Sequence, residues 1–483
     1  MKSGPVRVVV IGMGYVGIPC AALLADVRGF RVTGLQRRSP RSAWKIDCLN
    51  AGRCPFEGDE PGLAELISRV VLQKGTFRVT DDYSVCREAD AILIDVQTPV
   101  DDEHVPHYEA LGEACTQAGR HLRRGTLLII ESTVAPGTTR HVARPILERE
   151  SGLQAGPDFG LAFSYERVMP GKLLEYITDM PRVVGGIDGE STRRAVELYR
   201  HIVRAEITAT DCLTAEVAKV VENAYRDVNI AFANEVALAC ERLGVDVYQV
   251  RRLINARRDR HMHIPGAGVG GHCLPKDSWL LRHGVETYGR KEQGESEQGE
   301  IQPSAFSLQP APSSLPLIRL ARLINDAMPA HVLALVEEAL AEAGRPLEGA
   351  RVAVLGAAYL EDADDTRNTP AVPLIRGLLA RGAEVVVHDP YVRDHEWQLA
   401  WDGQPAAPLL QDLDAALQGA DCAVVVARHR AYVSLAETAN PEGKGLVWMK
   451  QRLRRPVLVD GRNLFDRAEC ERTGFVYRGV GKG

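Results

Sequence analysis

Apolar and polar positions alternate along this 483-residue chain in a repeating way. Short runs rich in Val, Ile and Leu, closed by glycine or acidic turns, are followed by stretches with apolar residues at helical spacing. The first series opens with "VRVVVIGMGYVG" (6–17): a β-branched run, then glycines, then the helix-like "IPCAALLADV". "RVTGL" (31–35), "DAILIDV" (90–96) and "GTLLIIEST" (125–133) continue it as strands. A second series opens with "ARVAVLGAAYL" (350–360) and continues through "AEVVVHDP" (383–390), "DCAVVVA" (421–427) and "PVLVDGRN" (456–463). Apolar strands alternating with helices predict parallel sheets covered on both faces. The expected fold class is α/β, with two doubly wound Rossmann-like domains joined by a long central helix. That helix is read at 214–244, which carries apolar residues at helical spacing, lacks proline and stops at Gly244. It would be about 46 Å long, enough to tie two domains together and to pair with a symmetry mate. Residues 288–316 break the pattern: polar, then rich in Pro and Ser, they predict a flexible insertion.

Composition narrows the function classes. Hydrophobic residues at 45% and charged residues at 25% are ordinary for a soluble globular protein. A net charge of −6 gives no nucleic-acid signature. There is no apolar run of roughly 18 residues, so no membrane span is expected. The N-terminus runs straight into a strand and a glycine loop, without the small-residue cleavage site of a signal peptide. Ten scattered cysteines read as free thiols in a reducing cytoplasm. No CxxC pair occurs, so no structural metal site is expected.

The candidate chemistry sits in five places. Gly12-x-Gly14-x-x-Gly17 follows a strand and opens a helix, the context in which glycines admit a dinucleotide pyrophosphate. The residue that would grip the adenosine ribose lies about 20 positions on. An acidic residue is expected there, but Gln36 stands in its place, followed by Arg37 and Arg38. Gln36 can still bond a hydroxyl, while two arginines can meet a 2′-phosphate or form a solvated turn. "IIESTVAPGTT" (129–139) ends a strand with hydroxyls, and "SYERVMPGK" (164–172) brings Glu166, Arg167 and Lys172 into a loop. Lys219 and Asn223, four apart, share a face of the long helix, and Glu216 is near enough to pair with Lys219. In "GVGGHCLPKDSWLL" (268–281), Cys273 stands between flexible glycines and a Lys-Asp pair. An exposed thiol in such backbone is a candidate nucleophile.

Taken together, these segments resemble the nucleotide-sugar 6-dehydrogenases, that is, the UDP-glucose and UDP-N-acetylhexosamine dehydrogenases. "IGMGYVG", "VQTP" (96–99), "ESTVAPGTT", "ERVMPG" (166–171), "AKVVENAYRDVNIAFANE" (218–235), "GVGGHCLPKD" and "DDTRNTPA" (364–371) occur in family order over nearly the whole chain. The resemblance implies four-electron oxidation of a sugar C6 alcohol to a carboxylate, with two NAD reduced. Cys273 would add to the aldehyde as a thiohemiacetal, and oxidation would give a thioester that water hydrolyses. Lys219 would stabilise oxyanions, with Asn223 nearby, and Asp277 would hold the base or water network. Thr133 and Glu166 would place substrate and water. The resemblance assigns Gly12, Gly14, Tyr15, Val16, Gly17, Gln36, Arg37, Thr98 and Thr133 to the cofactor. It assigns Glu166, Arg167, Lys219, Asn223, Gly270 and Arg367 to a UDP-sugar. Glycines around Cys273 would leave room for sugar and cofactor.

The same resemblance divides the chain into an NAD-binding domain (1–205), a central dimerisation domain carrying Cys273 (206–287), the insertion (288–316) and a nucleotide-sugar-binding domain (317–483). A homodimer is expected. The pattern also departs from the family. Gln36 replaces the usual acidic residue, which leaves NADP open beside NAD. Pro170 stands where UDP-glucose enzymes carry a second acidic residue in a loop like "SPEFLREG". "ERVMPG" and "PGAGVGGHC" point to UDP-N-acetylmannosamine or UDP-N-acetylglucosamine, whereas "CLPKD" is shared with glucose-type enzymes. Two other classes fit parts of the pattern: a 3-hydroxyacid dehydrogenase, which needs no thiol, and a non-catalytic nucleotide-sugar-binding protein.

Overall fold

A computed structural model describes residues 4–39, 42–56, 60–101, 103–292, 315–401, 403–436 and 444–483. The chain forms two compact units, Met1–Glu222 with the segment from Trp279, and Asn223–Ser278 with Leu315–Gly483.

The first unit is built on eight strands: β1 (Val6–Ile11), β2 (Phe30–Leu35), β3 (Phe77–Thr80), β4 (Ala91–Ile94), β5 (Leu127–Ile130), β6 (Gly160–Phe163), β7 (Arg182–Gly186) and β8 (Ile207–Asp211). Their order is β3-β2-β1-β4-β5-β6-β7-β8, parallel throughout except between β6 and β7. The runs AILI, LLII and GLAF of β4, β5 and β6 are buried along their whole length. Alternate residues serve opposite faces, as a pleated strand requires: Val8 and Val10 join one core, Val9 and Ile11 the other.

The second unit repeats the plan with β9 (Arg351–Leu355), β10 (Glu384–His388), β11 (Leu409–Leu410), β12 (Cys422–Val425), β13 (Val457–Asp460) and β14 (Val476–Gly479). The order is β11-β10-β9-β12-β13-β14, all parallel. Both sheets therefore contain the strand order of a doubly wound fold. That fold places ligands at the carboxyl ends of strands where the order reverses.

The expected long helix is Cys212–Leu243, 32 residues or about 48 Å. Asp211 caps it by accepting the Thr214 N–H at 3.0 Å, and Gly244 ends it at φ 70°. Within the second unit, a buried polar chain links this helix to helix Pro316–Glu342. Arg322 and Asn325 bond the Asp227 carboxylate at 2.6 and 2.8 Å, Asn234 bonds Asn325 at 2.9 Å, and Asn234 accepts the Gly266 N–H at 3.0 Å. Gly266 begins the loop that leads to Cys273, so this chain fixes where the loop starts.

The first residues of the segment read as an insertion are helical. Helix Leu274–Glu292 runs through residues 288–292, and Tyr288 is buried with its ring 5.2 Å from that of His141. Residues 293–314, the rest of that expectation, lie outside the described residues. Among the described residues no helix is long and apolar enough to cross a membrane.

Candidate active site

In the first unit, the turn after β1 has the form a dinucleotide needs. Gly12 has φ 107°, and a Cβ there would fall 2.1 Å from the Asp95 carbonyl oxygen. A Cβ on Gly17 would fall 2.0 Å from the Gly12 carbonyl oxygen. These two glycines close the turn on itself. Gly14 differs: nothing lies within 4 Å of its missing Cβ, so its face is open to a phosphate. Tyr15 next to it stacks on Phe56 at 4.4 Å, a neighbour the sequence does not reveal.

Gln36 braces this turn, its Oε1 accepting the Met13 N–H at 3.2 Å. Arg37 is exposed, and Arg38 pairs with Asp81 at 2.8 Å. Without a carboxylate at position 36 nothing repels a 2′-phosphate, but Asp81 engages one of the two nearby cations. A charge-assisted bond is worth about 1.5–3 kcal/mol when desolvated and far less at an exposed pair. Relative use of NADP over NAD should therefore fall by about three- to tenfold in Gln36→Asp and rise in Asp81→Asn. The ratio of kcat/KM values for the two cofactors checks both.

The loops after β4 and β5 are laced together. Thr98 Oγ1 donates to the Thr133 carbonyl at 2.6 Å, and Ser132 Oγ accepts the Val96 N–H at 2.9 Å. Glu216, set against Lys219 in the sequence, accepts the N–H groups of Gly137 and Thr139 at 2.6 and 2.9 Å. It is a brace for the "APGTT" turn. Lys219 is buried and donates from Nζ to the Glu166 carbonyl at 2.8 Å. The Glu166 carboxylate turns back on its own loop to accept the Val168 N–H. Burial pushes this carboxyl above its ordinary range against the pull of Lys219. Arg167, expected at the substrate, bonds Glu222 at 2.8 Å and Tyr165 at 3.0 Å.

The second unit holds the thiol. Cys273 is exposed and precedes helix Leu274–Glu292, its carbonyl accepting the N–H groups of Lys276 and Asp277 at 3.1 and 2.9 Å. The positive end of a 19-residue helix thus favours negative charge at this position. Asp277 is buried between two donors: Asn223 Nδ2 reaches its Oδ2 and Lys276 Nζ its Oδ1, both at 2.6 Å. Lys276 was not among the expected site residues. The sequence sets it beside Asp277, but adjacent residues on a helix do not face each other, so that adjacency alone does not predict the ion pair. His272 is pushed down to about 4 by burial, with Lys276 and Arg367 adding to the effect, and is neutral near pH 7.

The glycines before Cys273 serve the packing of its loop. A Cβ on Gly270 would fall 2.6 Å from Tyr359 Cβ and 2.7 Å from the Asn368 carbonyl. Gly271 donates its N–H to the Arg367 carbonyl at 2.9 Å and accepts from Asn368 Nδ2 at 3.0 Å. The glycines let the thiol's loop dock on residues 359–370. Arg367 itself makes a bidentate pair with Asp365. In this unit's own first turn, the N–H groups of Ala357 and Ala358 are taken by Asp389 at 2.8 and 3.0 Å. The two Rossmann-like units are therefore not equivalent, and the turn with an open glycine face is the first.

The NAD-binding, central and UDP-binding domain models of the UDP-glucose/GDP-mannose dehydrogenase family match residues 6–203, 213–296 and 353–467. The chain is 35% identical over 479 residues to UDP-N-acetyl-D-mannosamine dehydrogenase of Pyrococcus horikoshii, covering 99% of each chain. A crystal structure of NDP-N-acetyl-D-galactosaminuronic acid dehydrogenase from Methanosarcina mazei Go1 superposes with TM-score 0.82 at 40% identity, covering 100% of this chain and 96% of that one. A UDP-glucose dehydrogenase from Pyrobaculum islandicum superposes with TM-score 0.79 at 26% identity, covering 100% and 99%.

Proposed function

The chain belongs to the UDP-glucose/GDP-mannose dehydrogenase family, and on that premise we propose that it oxidises the C6 alcohol of a UDP-linked 2-acetamido sugar to the acid through Cys273. It is an NAD-dependent oxidoreductase acting on a nucleotide sugar. The observation that carries the proposal is the setting of Cys273: an exposed thiol at a helix's positive end, four residues before a carboxylate braced by Asn223 and Lys276.

NAD, when bound, accepts hydride from the sugar carbon. The open face of Gly14 would take its pyrophosphate, with Gly12 and Gly17 shaping the turn, Gln36 at the adenosine end, and Thr98 and Thr133 holding the neighbouring loops in register. After the alcohol has become an aldehyde, the Cys273 sulfur adds to C6, forming the C–S bond while the carbonyl oxygen takes a proton. Loss of the remaining C6 hydride to a second NAD, and of the hydroxyl proton, would turn this thiohemiacetal into a thioester. Water then adds to the thioester carbonyl, the C–S bond breaks, and the thiolate leaves a carboxylate behind. Lys219, a buried cation one helical turn from Asn223, would stabilise the developing oxyanion. Asp277 would keep Asn223 and Lys276 aimed.

The acetamido sugar is supported by two relatives, one named for N-acetyl-D-mannosamine and one for N-acetyl-D-galactosaminuronic acid. "ERVMPG", without a second acidic residue, supports it further. UDP-glucose is the second reading, favoured by "CLPKD" and by the UDP-glucose dehydrogenase fold match. Purified protein should be incubated with UDP-N-acetylmannosamine, UDP-N-acetylglucosamine, UDP-N-acetylgalactosamine and UDP-glucose, following reduced cofactor by absorbance. Two NADH per acetamido sugar are expected. One NADH per substrate would instead mark a simple alcohol dehydrogenase, and turnover of UDP-glucose alone would sink the sugar assignment.

We also place the enzyme in the cytoplasm, where free thiols persist, and read it as a homodimer. On the long helix, Tyr225 (69% exposed) and Phe232 (54% exposed) stand seven apart on one apolar stripe. Tyr225→Glu with Phe232→Glu should convert a dimer to a monomer in light scattering at micromolar protein. A wild-type chain that is already monomeric there would refute the stripe's role.

A further inference from the structure

The proposed steps leave unused a buried cluster of charges beneath the first unit's turn. Glu131 follows β5 and Arg182 begins β7; both are buried and form an ion pair. The Tyr199 hydroxyl donates to Glu131 Oε1 at 2.7 Å, and the Arg182 guanidinium lies 3.7 Å over the Tyr199 ring. Arg182 also holds Ser164 twice, through Nε to Oγ at 2.9 Å and through Nη2 to the carbonyl at 3.2 Å. Asp95, after β4, faces Glu131. Its Oδ2 and Glu131 Oε2 are buried, and no geometric hydrogen bond satisfies either atom among the described residues. Burial and the neighbouring Glu131 push the Asp95 carboxyl well above its ordinary range.

A buried ion pair is a poor way to stabilise a fold, because desolvation offsets most of the attraction. Its location suggests another use. Glu131 stands two residues before Thr133, and Ser164 two residues before Glu166. Both loops leave the carboxyl ends of adjacent parallel strands, where an α/β sheet binds its ligands. We propose that Glu131 and Arg182 are positioning residues for the reaction: together they lock the first residues of both loops and so set the placement of Glu166. This rests on the reading above, which puts Thr133 and Glu166 in the site.

The groups that face Glu166 are Lys219 from the long helix, Arg182 from β7, Glu131 after β5, Asp95 after β4 and Arg167 on its own loop. Arg182 favours the Glu166 carboxylate and Glu131 disfavours it. Removing them should therefore move any pH limb owed to Glu166 in opposite directions, whichever protonation state is active.

The test compares the full-length enzyme with Glu131→Gln, Arg182→Gln, the double variant and Glu166→Gln. Each single variant at the pair should lower kcat by about ten- to a hundredfold through misplacement, with KM for NAD within about threefold. The limb that disappears in Glu166→Gln should rise by roughly one pH unit in Arg182→Gln and fall in Glu131→Gln. The double variant, with neutral amides that still hydrogen-bond, should recover most of the lost kcat and return the limb near its wild-type position. A merely structural pair would lower the unfolding midpoint of both singles without opposed limb shifts, and that result overturns the proposal. So do folded singles with wild-type kcat and profile. If Arg182→Gln does not fold, an unmoved limb in Glu131→Gln overturns it alone. Wild-type kcat in Glu166→Gln removes the premise instead, and is told apart because it involves neither Glu131 nor Arg182.

Discussion

Cys273→Ser should abolish acid formation, lowering it by about three orders of magnitude or more, while NAD binding stays within about twofold of wild type. A serine hydroxyl is a weak nucleophile unless a base takes its proton, whereas a thiol ionises near neutral pH. Helix-terminal N–H groups favour a thiolate at this position but are too weak to ionise an alkoxide. Serine also cannot form the thioester whose hydrolysis completes the reaction. The glycine turn after β1 rests on its own core and is braced by Gln36 through the Met13 N–H. The substitution should therefore separate chemistry from cofactor binding. Acid measured chromatographically in single turnover, beside NAD titration by protein fluorescence, gives both quantities. Wild-type acid production by folded Cys273→Ser would remove the covalent mechanism.

Much of the fold was legible because buried parallel strands leave a plain mark. Runs such as VVVI, LLII and VLVD need water excluded from both faces, and they recur at βα spacing. The expected strands lie where the sequence puts them, several with trimmed ends: β4 stops before Asp95, β5 before Glu131 and β10 before Asp389. β11 gives no such mark, since two half-buried residues carry no period. The motif residues were legible because each lies inside a short contiguous stretch. Their supports were not. Glu131 meets Arg182 across 51 positions, and Asn223 meets Asp277 across 54. Such pairs exist only once strand order and helix packing bring distant segments together. The glycines around Cys273 were noticed as flexible, but their purpose depends on Tyr359 and Asn368, which lie some ninety positions away in the sequence. The helical residues at 288–292 were hidden because their composition is already polar, and the contact of Tyr288 with His141 joins segments far apart in the sequence.

Asp277 should prove indispensable twice over, and the two losses should be separable. Asp277→Asn leaves the Lys276 ammonium buried without its carboxylate, and removing one partner of a buried pair costs about 3–5 kcal/mol. It also leaves one acceptor oxygen where Asn223 and Lys276 each had their own, so one of the two donors loses its partner. The loss of a base or water anchor lowers the rate by about 10²–10⁴-fold. A drop in activity alone would not distinguish these effects. Replacing both members, Lys276→Met with Asp277→Leu, removes the unpaired charge and fills the space with apolar side chains. Such exchanges of buried pairs are commonly neutral or stabilising. The double variant should therefore regain an unfolding midpoint near wild type in chemical denaturation while its turnover stays at the level of Asp277→Asn. If turnover returned with stability, the pair would be only a brace for the helix that carries Cys273. If Asp277→Asn were stable yet inactive, Lys276 would have another anion to bond, and the substrate's diphosphate, absent from the denaturation assay, could not be that anion.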